Sequence, residues 1–254
     1  QEIEDEIDIE DLIEEETCAF TISNQGYIKR MPVDTYRTQS RGGRGVNAQN
    51  LKEEDFVKSL NVASTHDHML FFTDRGQVHH RKGYQIPEAG RTARGTAMVN
   101  VLPLEPGEAV TAMVVTREFD ENEYLMMVTK NGTVKRIPFI ALKTNRKTGI
   151  RAITLDENDH LINVIRTCGS DNIVIATAGG MAICFAETDV RPMGRDAAGV
   201  RGIMLTDGDF VVGAERYDEN KTLLTVTENG FGKRTELPEY LRTGPDGEKI
   251  PQGR

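Results

Sequence analysis

The chain has 254 residues, of which 28% are charged and 6% aromatic, and it contains no tryptophan. This length allows one large repeat domain or two ordinary domains with a sizeable core. The apolar runs are too short to cross a bilayer and no signal peptide is recognisable, so we expect a cytoplasmic protein without membrane association. The three cysteines lack a C-x-x-C spacing, which predicts neither a disulfide framework nor a zinc site.

The formal net charge of −9 is unevenly distributed along the chain. Residues 1–16 contain ten of the 40 acidic residues and no Lys or Arg, which leaves 30 acids and 31 bases in residues 17–254, a net charge of +1. We interpret residues 1–16 as an acidic linker or tether. The alternative is an internal polyanion that competes with a nucleic acid for a basic surface, and the apolar residues among the acids would allow part of it to dock.

A pattern repeats at intervals of about 50 residues. Each copy has a strand-like run, a turn that ends in glycine, and a second β-rich run, which together predict a β-hairpin. We call the turn residues the hairpin glycines: Gly26, Gly76, Gly132, Gly180 and Gly230. An apolar or aromatic residue follows each of them by ten positions. A further glycine follows three of them by 19 positions, as Gly45, Gly95 and Gly199, whereas Gly149 comes two positions early.

In the first four repeats an acidic residue before an apolar run then predicts a further strand; these acids are Asp55, Glu108, Asp159 and Asp209. The sequence therefore predicts an all-β protein of roughly 50-residue, four-stranded blades around an axis. A linear β-solenoid is the alternative, although its turns are usually shorter. Five repeats begin in residues 17–254, and because the fifth is incomplete we expect four full blades and a partial one.

Basic residues recur at equivalent positions of these repeats. The third and fourth residues after the hairpin glycine, which we call the basic pair, are Lys29-Arg30, His79-His80, Lys135-Arg136, Ile183-Cys184 and Lys233-Arg234. The second repeat adds Arg81 and Lys82, and the long loops contribute Arg91, Arg94, Arg146, Lys147, Arg151, Arg191, Arg195 and Arg201. Adjacent strand residues face opposite ways, so only one of each pair can point outward. A band of charge with few interleaved aromatic residues suits duplex phosphates better than unpaired bases.

One loop of the first repeat concentrates this chemistry. Its seven residues, which we call the box, are Gln39, Ser40, Arg41, Gly42, Gly43, Arg44 and Gly45. Glycine lets a backbone approach another molecule closely, and arginine offers a fork of donors that matches phosphate oxygens. The box therefore predicts a tight cationic loop that faces an anionic partner.

With these motifs, residues 17–254 resemble the C-terminal, β-pinwheel domain found in the A subunits of DNA gyrase. The box matches the heptapeptide box of that family, with Ser40 in place of the usual first arginine and Arg44 in place of the usual lysine. Because Ser40 removes a charge, we expect weaker contacts there. The segment Asn229-Gly230-Phe231-Gly232-Lys233-Arg234 also reads like a blade of this family.

The resemblance implies a non-catalytic domain that binds and wraps duplex DNA, largely independent of sequence, around its basic outer rim. Wrapping would enable ATP-dependent negative supercoiling by the parent type IIA topoisomerase. The implied partners, in a heterotetramer, are the ATPase B subunit of gyrase and the breakage–reunion core that precedes this domain. The nucleophilic tyrosine, ATP and magnesium would belong to other domains or subunits, and we expect no cofactor here.

Other interpretations are open at this stage. The topoisomerase IV relatives have a related domain, although its box is generally degraded, and a protein-interaction propeller would need characteristic repeat dipeptides. His66, His68, His79 and His80 could suggest a metal site, but no cysteine or carboxylate cluster joins them in the sequence. We therefore predict no metal site, and no set of residues resembles a complete active site.

Overall fold

A computed structural model describes residues 9–33 and 55–253. Described residues outside the turns and loops form short strands and six single-turn 3₁₀ helices: Ile9–Leu12, Gly83–Gln85, Met98–Asn100, Phe139–Leu142, Glu187–Asp189 and Leu237–Tyr240. Within that part of the chain, no helix is long and apolar enough to cross a membrane. The all-β prediction is confirmed.

The strands follow the predicted repeats. The first two repeats contribute β1 (Thr17–Ser23), β2 (Tyr27–Pro32), β3 (Val57–Ser64), β4 (His68–Thr73), β5 (Gln77–Lys82), β6 (Thr96–Ala97) and β7 (Val110–Thr116). The third and fourth contribute β8 (Tyr124–Thr129), β9 (Thr133–Pro138), β10 (Ile150–Arg151), β11 (Leu161–Thr167), β12 (Asn172–Thr177), β13 (Ala182–Ala186), β14 (Val200–Arg201) and β15 (Val211–Arg216). The fifth contributes β16 (Thr222–Val226), β17 (Gly232–Glu236), β18 (Arg242–Thr243) and β19 (Lys249–Ile250).

The hairpin turns have one chemistry throughout. All five hairpin glycines have φ between 77° and 85°, a region that residues with a Cβ rarely adopt. Each glycine N–H donates to the carbonyl three residues earlier, and the residue after each glycine donates its N–H to the hydroxyl of that same Ser or Thr. In three repeats the predicted acid before the next strand accepts the remaining turn N–H, as Asp209 does from Gly179 at 2.7 Å.

Each four-stranded sheet combines three strands of one repeat with a two-residue strand of the next. The orders are β3-β1-β2-β6, β10-β5-β4-β7 and β11-β8-β9-β14. In the first sheet Tyr27 and Ile28 of β2 pair with Ala97 and Thr96 of β6. In the third, Val134 of β9 pairs with Val200 of β14. Repeats 1 to 4 are therefore joined by strand exchange as well as by the chain itself.

The expectation of four complete blades is wrong for the described residues. The fourth sheet has only three strands, in the order β13-β12-β15, and β16 and β17 form a separate hairpin. The physical reason is the strand exchange, because the edge strand of a sheet comes from the following repeat. In the fifth repeat the corresponding segment, β19, pairs with β18 instead.

The chain divides into two compact units. The first comprises the described residues of Gln1–Phe71 together with Val78–Glu118 and Asn145–Ile150. Its core contains buried aromatic and aliphatic side chains such as Phe20, Ile28 and Phe71. The second comprises Phe72–Gln77, Phe119–Thr144 and Arg151–Arg254, and its core includes Val134, Ile175 and Phe185.

Candidate nucleic-acid interface

The lysines of the basic pairs lie inside the fold in repeats 1 and 3. Lys29 is 1% exposed and Lys135 is 0% exposed. Lys29 Nζ donates to the carbonyls of Gly90, Arg91 and Ala93 at 3.0, 3.3 and 3.0 Å. An ammonium group has three donors, so these three carbonyls use its full capacity.

Lys135 has the same arrangement in the second unit. Its Nζ donates to the carbonyls of Ala152, Arg195 and Ala197 at 2.7, 2.6 and 3.0 Å. Burial lowers the pKa of Lys135 to about 8, against the opposing effect of the Asp196 carboxylate. Burial also lowers the pKa of Lys29. Each charge-assisted hydrogen bond contributes about 1.5–3 kcal/mol. The three bonds of one lysine together offset the several kcal/mol that burial of an ammonium group costs.

The arginines of the same pairs also contact the following repeat. Arg30 Nε donates to the carbonyl of Ile86 at 2.8 Å, and Arg136 donates to that of Val190 at 3.4 Å. These two carbonyls belong to the apolar residues ten positions after a hairpin glycine. Arg136 also lies 3.1 Å from the buried Glu187 carboxylate, and its guanidinium stacks over the Tyr124 ring at 3.9 Å.

Repeat 2 replaces the lysine with His79, which is 4% exposed. A Cβ on Gly149 would lie 2.6 Å from the His79 ring, so the ring fills the space beneath that loop. Arg81 supplies the missing donors, to the carbonyl of Lys147 at 3.2 Å and to that of Val101. His80 is half-buried, and its Nε2 lies 2.8 Å from His68 Nδ1.

Most loop candidates are exposed. The exposed loop residues are Arg91, Arg146, Lys147, Arg151, Arg191, Arg195 and Arg201. Lys233 and Arg234 of β17 are exposed as well. Arg94 is half-buried, with its guanidinium 5.0 Å above the Tyr27 ring. These side chains have the exposure that a phosphate contact requires, and their role in DNA binding stays a prediction.

Two of the loops are held very close to the neighbouring strand. Gly95 and Gly199 have φ of 98° and 101°. A Cβ on Gly95 would lie 2.6 Å from the Ile28 carbonyl oxygen, and one on Gly199 would lie 2.5 Å from that of Val134. Glycine is therefore required at these positions both for its conformation and for the close approach.

The prediction that Lys29, Lys135 and Arg136 contact DNA is corrected by their burial. All three donors of Lys29 and of Lys135 are bound to carbonyl groups, and Arg136 is buried between the Val190 carbonyl, the Glu187 carboxylate and the Tyr124 ring. These three cations therefore face the interior of the fold and not solvent. A charged side chain on a strand usually indicates solvent exposure, which is why the sequence pattern misled here. The box, Gln39 to Gly45, lies outside the described residues, and its role stays a prediction.

The acidic segment contacts several of the predicted cations. Glu10 pairs with Lys82 at 3.0 Å, and Glu16 pairs with Arg30 at 3.4 Å. Glu15 pairs with Arg117, a residue that the sequence pattern did not single out. The Arg117 guanidinium and the Ser64 hydroxyl lower the pKa of Glu15. From Ile9 onward, this segment therefore occupies part of the positive surface of its own unit.

The described residues include one group of three possible metal ligands, Cys168, Asp171 and Glu187, whose ligand atoms lie within 4.8 Å of one another. Glu187 already accepts hydrogen bonds from the Thr167 hydroxyl and from the N–H groups of Gly169 and Asp171. We therefore interpret this cluster as structural. The four histidines considered from the sequence are not part of it.

Sequence reasoning missed the interior role of the basic pairs, although a signal was present. Lys29 and Lys135 occupy the same offset in their repeats, and each Lys-Arg pair has an apolar residue on either side in a strand without acidic residues. It also missed Glu187, the buried partner of Arg136. Glu187 directly follows β13, where a carboxylate is easily read as solvent-exposed.

Comparison with known proteins places these features in a family. The family model described as DNA gyrase C-terminal domain, beta-propeller, matches residues 19–64, 67–117, 123–168, 171–218 and 221–250. These five segments coincide with the five repeats.

Similar proteins include the DNA gyrase A subunit of Clostridium acetobutylicum, 50% identical over 237 residues, which are 93% of this chain and 29% of that protein. The corresponding protein of Staphylococcus epidermidis is 44% identical over 249 residues, which are 97% of this chain and 28% of that protein. The chain thus spans less than a third of the length of these relatives.

Solved structures agree with the fold. The crystal structure of the C-terminal domain of DNA topoisomerase IV matches 95% of this chain and 72% of that one, with a TM-score of 0.78 and 25% identity. The DNA gyrase A C-terminal domain matches 86% of this chain and 71% of that one, with a TM-score of 0.66 and 25% identity. The chain therefore belongs to the DNA gyrase C-terminal domain family, whose fold is a β-propeller.

Proposed function

We propose that this chain is the DNA-wrapping domain of a gyrase A subunit, non-catalytic in itself. The observation that carries the proposal is the recurrence of exposed cations on equivalent loops of successive repeats, at Arg91, Lys147 and Arg195. Their main-chain carbonyls accept hydrogen bonds from Lys29, Arg81 and Lys135, whereas their own charged groups are exposed. Phosphate binding by such cations releases counterions and needs no particular base sequence.

Duplex DNA is the preferred ligand on chemical grounds. Single-strand binders use aromatic platforms on which bases stack, whereas only 6% of this chain is aromatic and it contains no tryptophan. Bending a site of 20–30 base pairs costs about 1–6 kcal/mol, which contacts from several repeats can offset. We therefore expect flexible duplexes to bind better than stiff ones.

Within the parent enzyme, wrapping would present a second DNA segment to the breakage–reunion core and so enable negative supercoiling. ATP, magnesium and the nucleophilic tyrosine would act in that core or in the B subunit, in the cytoplasm. Identities of 44–50% to gyrase A subunits support gyrase over topoisomerase IV. A protein-interaction propeller would not need exposed cations at repeated positions.

A topology assay tests the proposal. Relaxed plasmid is incubated with the chain, treated with a nicking–closing topoisomerase, and deproteinised. Wrapping predicts a change of linking number that grows with the ratio of protein to DNA, in contrast to an unrelated basic protein of equal charge. Unchanged linking number at saturating protein would contradict wrapping.

The box provides a sharper version of this experiment. It occupies the same offsets in repeat 1 as residues 89–95 and 193–199 occupy in repeats 2 and 4. Replacing all seven box residues by alanine should lower DNA affinity modestly but abolish wrapping, and with it supercoiling by the reconstituted enzyme. Relaxation and cleavage should survive. Supercoiling at the normal rate would show that the box has no such role.

A further inference from the structure

We propose that Lys29, Arg81 and Lys135 are positioning residues for DNA binding, each holding the basic loop of the following repeat. We call these three side chains the loop latches. The inference rests on the proposed function, because it concerns how the exposed loop cations are presented to phosphates. It assigns a purpose to the buried charges of Lys29 and Lys135 and to the partly buried guanidinium of Arg81.

The first support is that the same main-chain atom is held in three successive repeats. This atom is the carbonyl oxygen two residues before the loop glycine, in Ala93, Lys147 and Ala197. It accepts from Lys29 at 3.0 Å, from Arg81 at 3.2 Å and from Lys135 at 3.0 Å. Repeat 2 keeps the bond although its lysine is replaced by histidine, since Arg81 reaches the loop from two positions further along the strand.

The second support is that the latches hold the exposed arginines by their own carbonyls. The Arg91 carbonyl accepts from Lys29 at 3.3 Å, and the Arg195 carbonyl accepts from Lys135 at 2.6 Å. The backbone is thus fastened inward at the residue whose side chain is exposed. A loop whose backbone is already fixed loses less conformational entropy on binding than a flexible loop does.

The third support is the shape of the two loops. In each, the N–H two residues before the loop glycine donates to the carbonyl three residues earlier, from Ala93 to Gly90 at 3.0 Å and from Ala197 to Gly194 at 3.2 Å. The turn lies against the ammonium group, and every hydrogen bond that Nζ of Lys29 or Lys135 donates to the described residues is accepted by a main-chain carbonyl. The lysine charge is therefore not used to bind a carboxylate.

The test is a double-mutant cycle on the 254-residue chain with a fluorescent duplex, measured as a function of potassium chloride. Each neutralised phosphate contributes about −0.9 to the slope of log affinity against log salt. A variant that loses one contact should therefore bind about eightfold more weakly than the wild type at 0.1 M salt, if the two bind equally at 1 M. Both Lys135→Met and Arg195→Ala should show this loss and a slope reduced by about 0.9. The double variant should be no weaker than Lys135→Met alone, because Lys135 acts through Arg195.

Lys143→Met is the matched control, since it removes one exposed lysine charge outside the loop. The proposed role of the loop latches is contradicted if Lys135→Met binds DNA like the wild type. It is also contradicted if the affinity losses of Lys135→Met and Arg195→Ala multiply to about 64-fold in the double variant. A merely structural lysine would lower the unfolding midpoint and leave the salt slope unchanged. If Lys135→Met does not fold, Lys29→Met with Arg91→Ala repeats the cycle, with Lys58→Met as control.

Hydrogen exchange separates failure of the latch from failure of the proposed function. Wild-type chain that does not bind DNA at low salt would contradict DNA wrapping. In that case the latch still predicts faster amide exchange in residues 191–199 of Lys135→Met, and unchanged exchange in Arg195→Ala. Equal exchange in the wild type and Lys135→Met would overturn the latch whatever the DNA result.

Discussion

Strand β9 and the loop of the following repeat carry the same kinds of side chain in opposite surroundings. Lys135 and Arg136 of β9 are buried and bound to carbonyl groups and to Glu187. Arg191 and Arg195 of the loop are exposed. The comparison shows that charge alone does not identify a nucleic-acid contact in this fold. Interior cations join one repeat to the next, and exposed cations remain available to an anion.

The largest expected effect comes from removing the carboxylate that neutralises β9. Glu187→Ala leaves the Arg136 guanidinium buried without its anion, and such a change typically costs about 3–5 kcal/mol. Urea unfolding followed by circular dichroism measures the loss. Glu157→Ala, at an exposed site, is the control and should stay within about 0.5 kcal/mol. A loss below about 1 kcal/mol for Glu187→Ala would show that the interior pair is not structural.

A second prediction concerns repeat 2, where histidines replace the basic pair. Burial lowers the pKa of His80 to about 4, with further lowering by the charges of His68, Lys82 and Arg81. In the unfolded chain the His80 imidazole takes up a proton below about pH 6.5, whereas in the folded chain it stays neutral. Above about pH 6.5 the imidazole is neutral in both states, so protonation does not oppose folding there. Stability is lost progressively as the pH falls from about 6.5 to about 4.

Urea unfolding at about pH 7 and about pH 4.5 tests this sign. The wild type should lose more stability on acidification than His80→Gln does, and His160→Gln, at an exposed site, should behave like the wild type. Equal acid sensitivity of the wild type and His80→Gln would contradict the prediction.

Much of this architecture could be predicted because turns have strict backbone requirements. The hairpin glycines have positive φ, and the Ser or Thr three residues earlier closes each turn, so both leave a mark at a fixed offset. The exchanged strands β6 and β14 could not be found in this way. They have two residues each, which is too short to show the alternation typical of a strand.

Which basic residues are exposed could be predicted from the sequence only for those in glycine-rich loops. Glycine-rich loops lie on surfaces, so Arg91 and Arg195 were placed correctly as exposed residues. The interior position of Lys135 depends on carbonyls that come 17 to 62 residues later in the chain. Only the folded structure brings these atoms together.

A smaller effect on DNA affinity is expected from the acidic segment, because its carboxylates pair with cations that would otherwise be available to DNA. Glu10→Gln, Glu15→Gln and Glu16→Gln together would weaken the pairs with Lys82, Arg117 and Arg30. The Glu15–Arg117 pair is exposed, where a pair contributes about 0–1 kcal/mol, whereas the other two pairs are partly buried. We therefore expect a modest loss of stability. Arg30 keeps its pair with Glu88 and Arg117 keeps its pair with Asp67, so we expect a gain of about one phosphate contact. DNA affinity at low salt should therefore rise about two- to eightfold.

Fluorescence anisotropy at about 0.05 M and about 0.3 M salt measures this gain, which should shrink at the higher concentration because screening weakens exposed pairs. Glu118→Gln removes one exposed carboxylate of the same unit and serves as the control. If the triple variant binds no better than Glu118→Gln, the segment does not compete with DNA.

The division between interior and available cations is tested most directly by the salt dependence of duplex binding. If about six phosphates are neutralised, the wild-type slope of log affinity against log salt should be about −5. Combined Arg91→Ala, Lys147→Ala and Arg195→Ala should reduce its magnitude by about half, because three of about six contacts are lost at about 0.9 each. Combined Lys58→Ala, Lys143→Ala and Lys221→Ala remove as much charge outside these loops and should leave the slope near about −5. An unchanged slope in the loop variant, or an equal fall in both, would contradict the account.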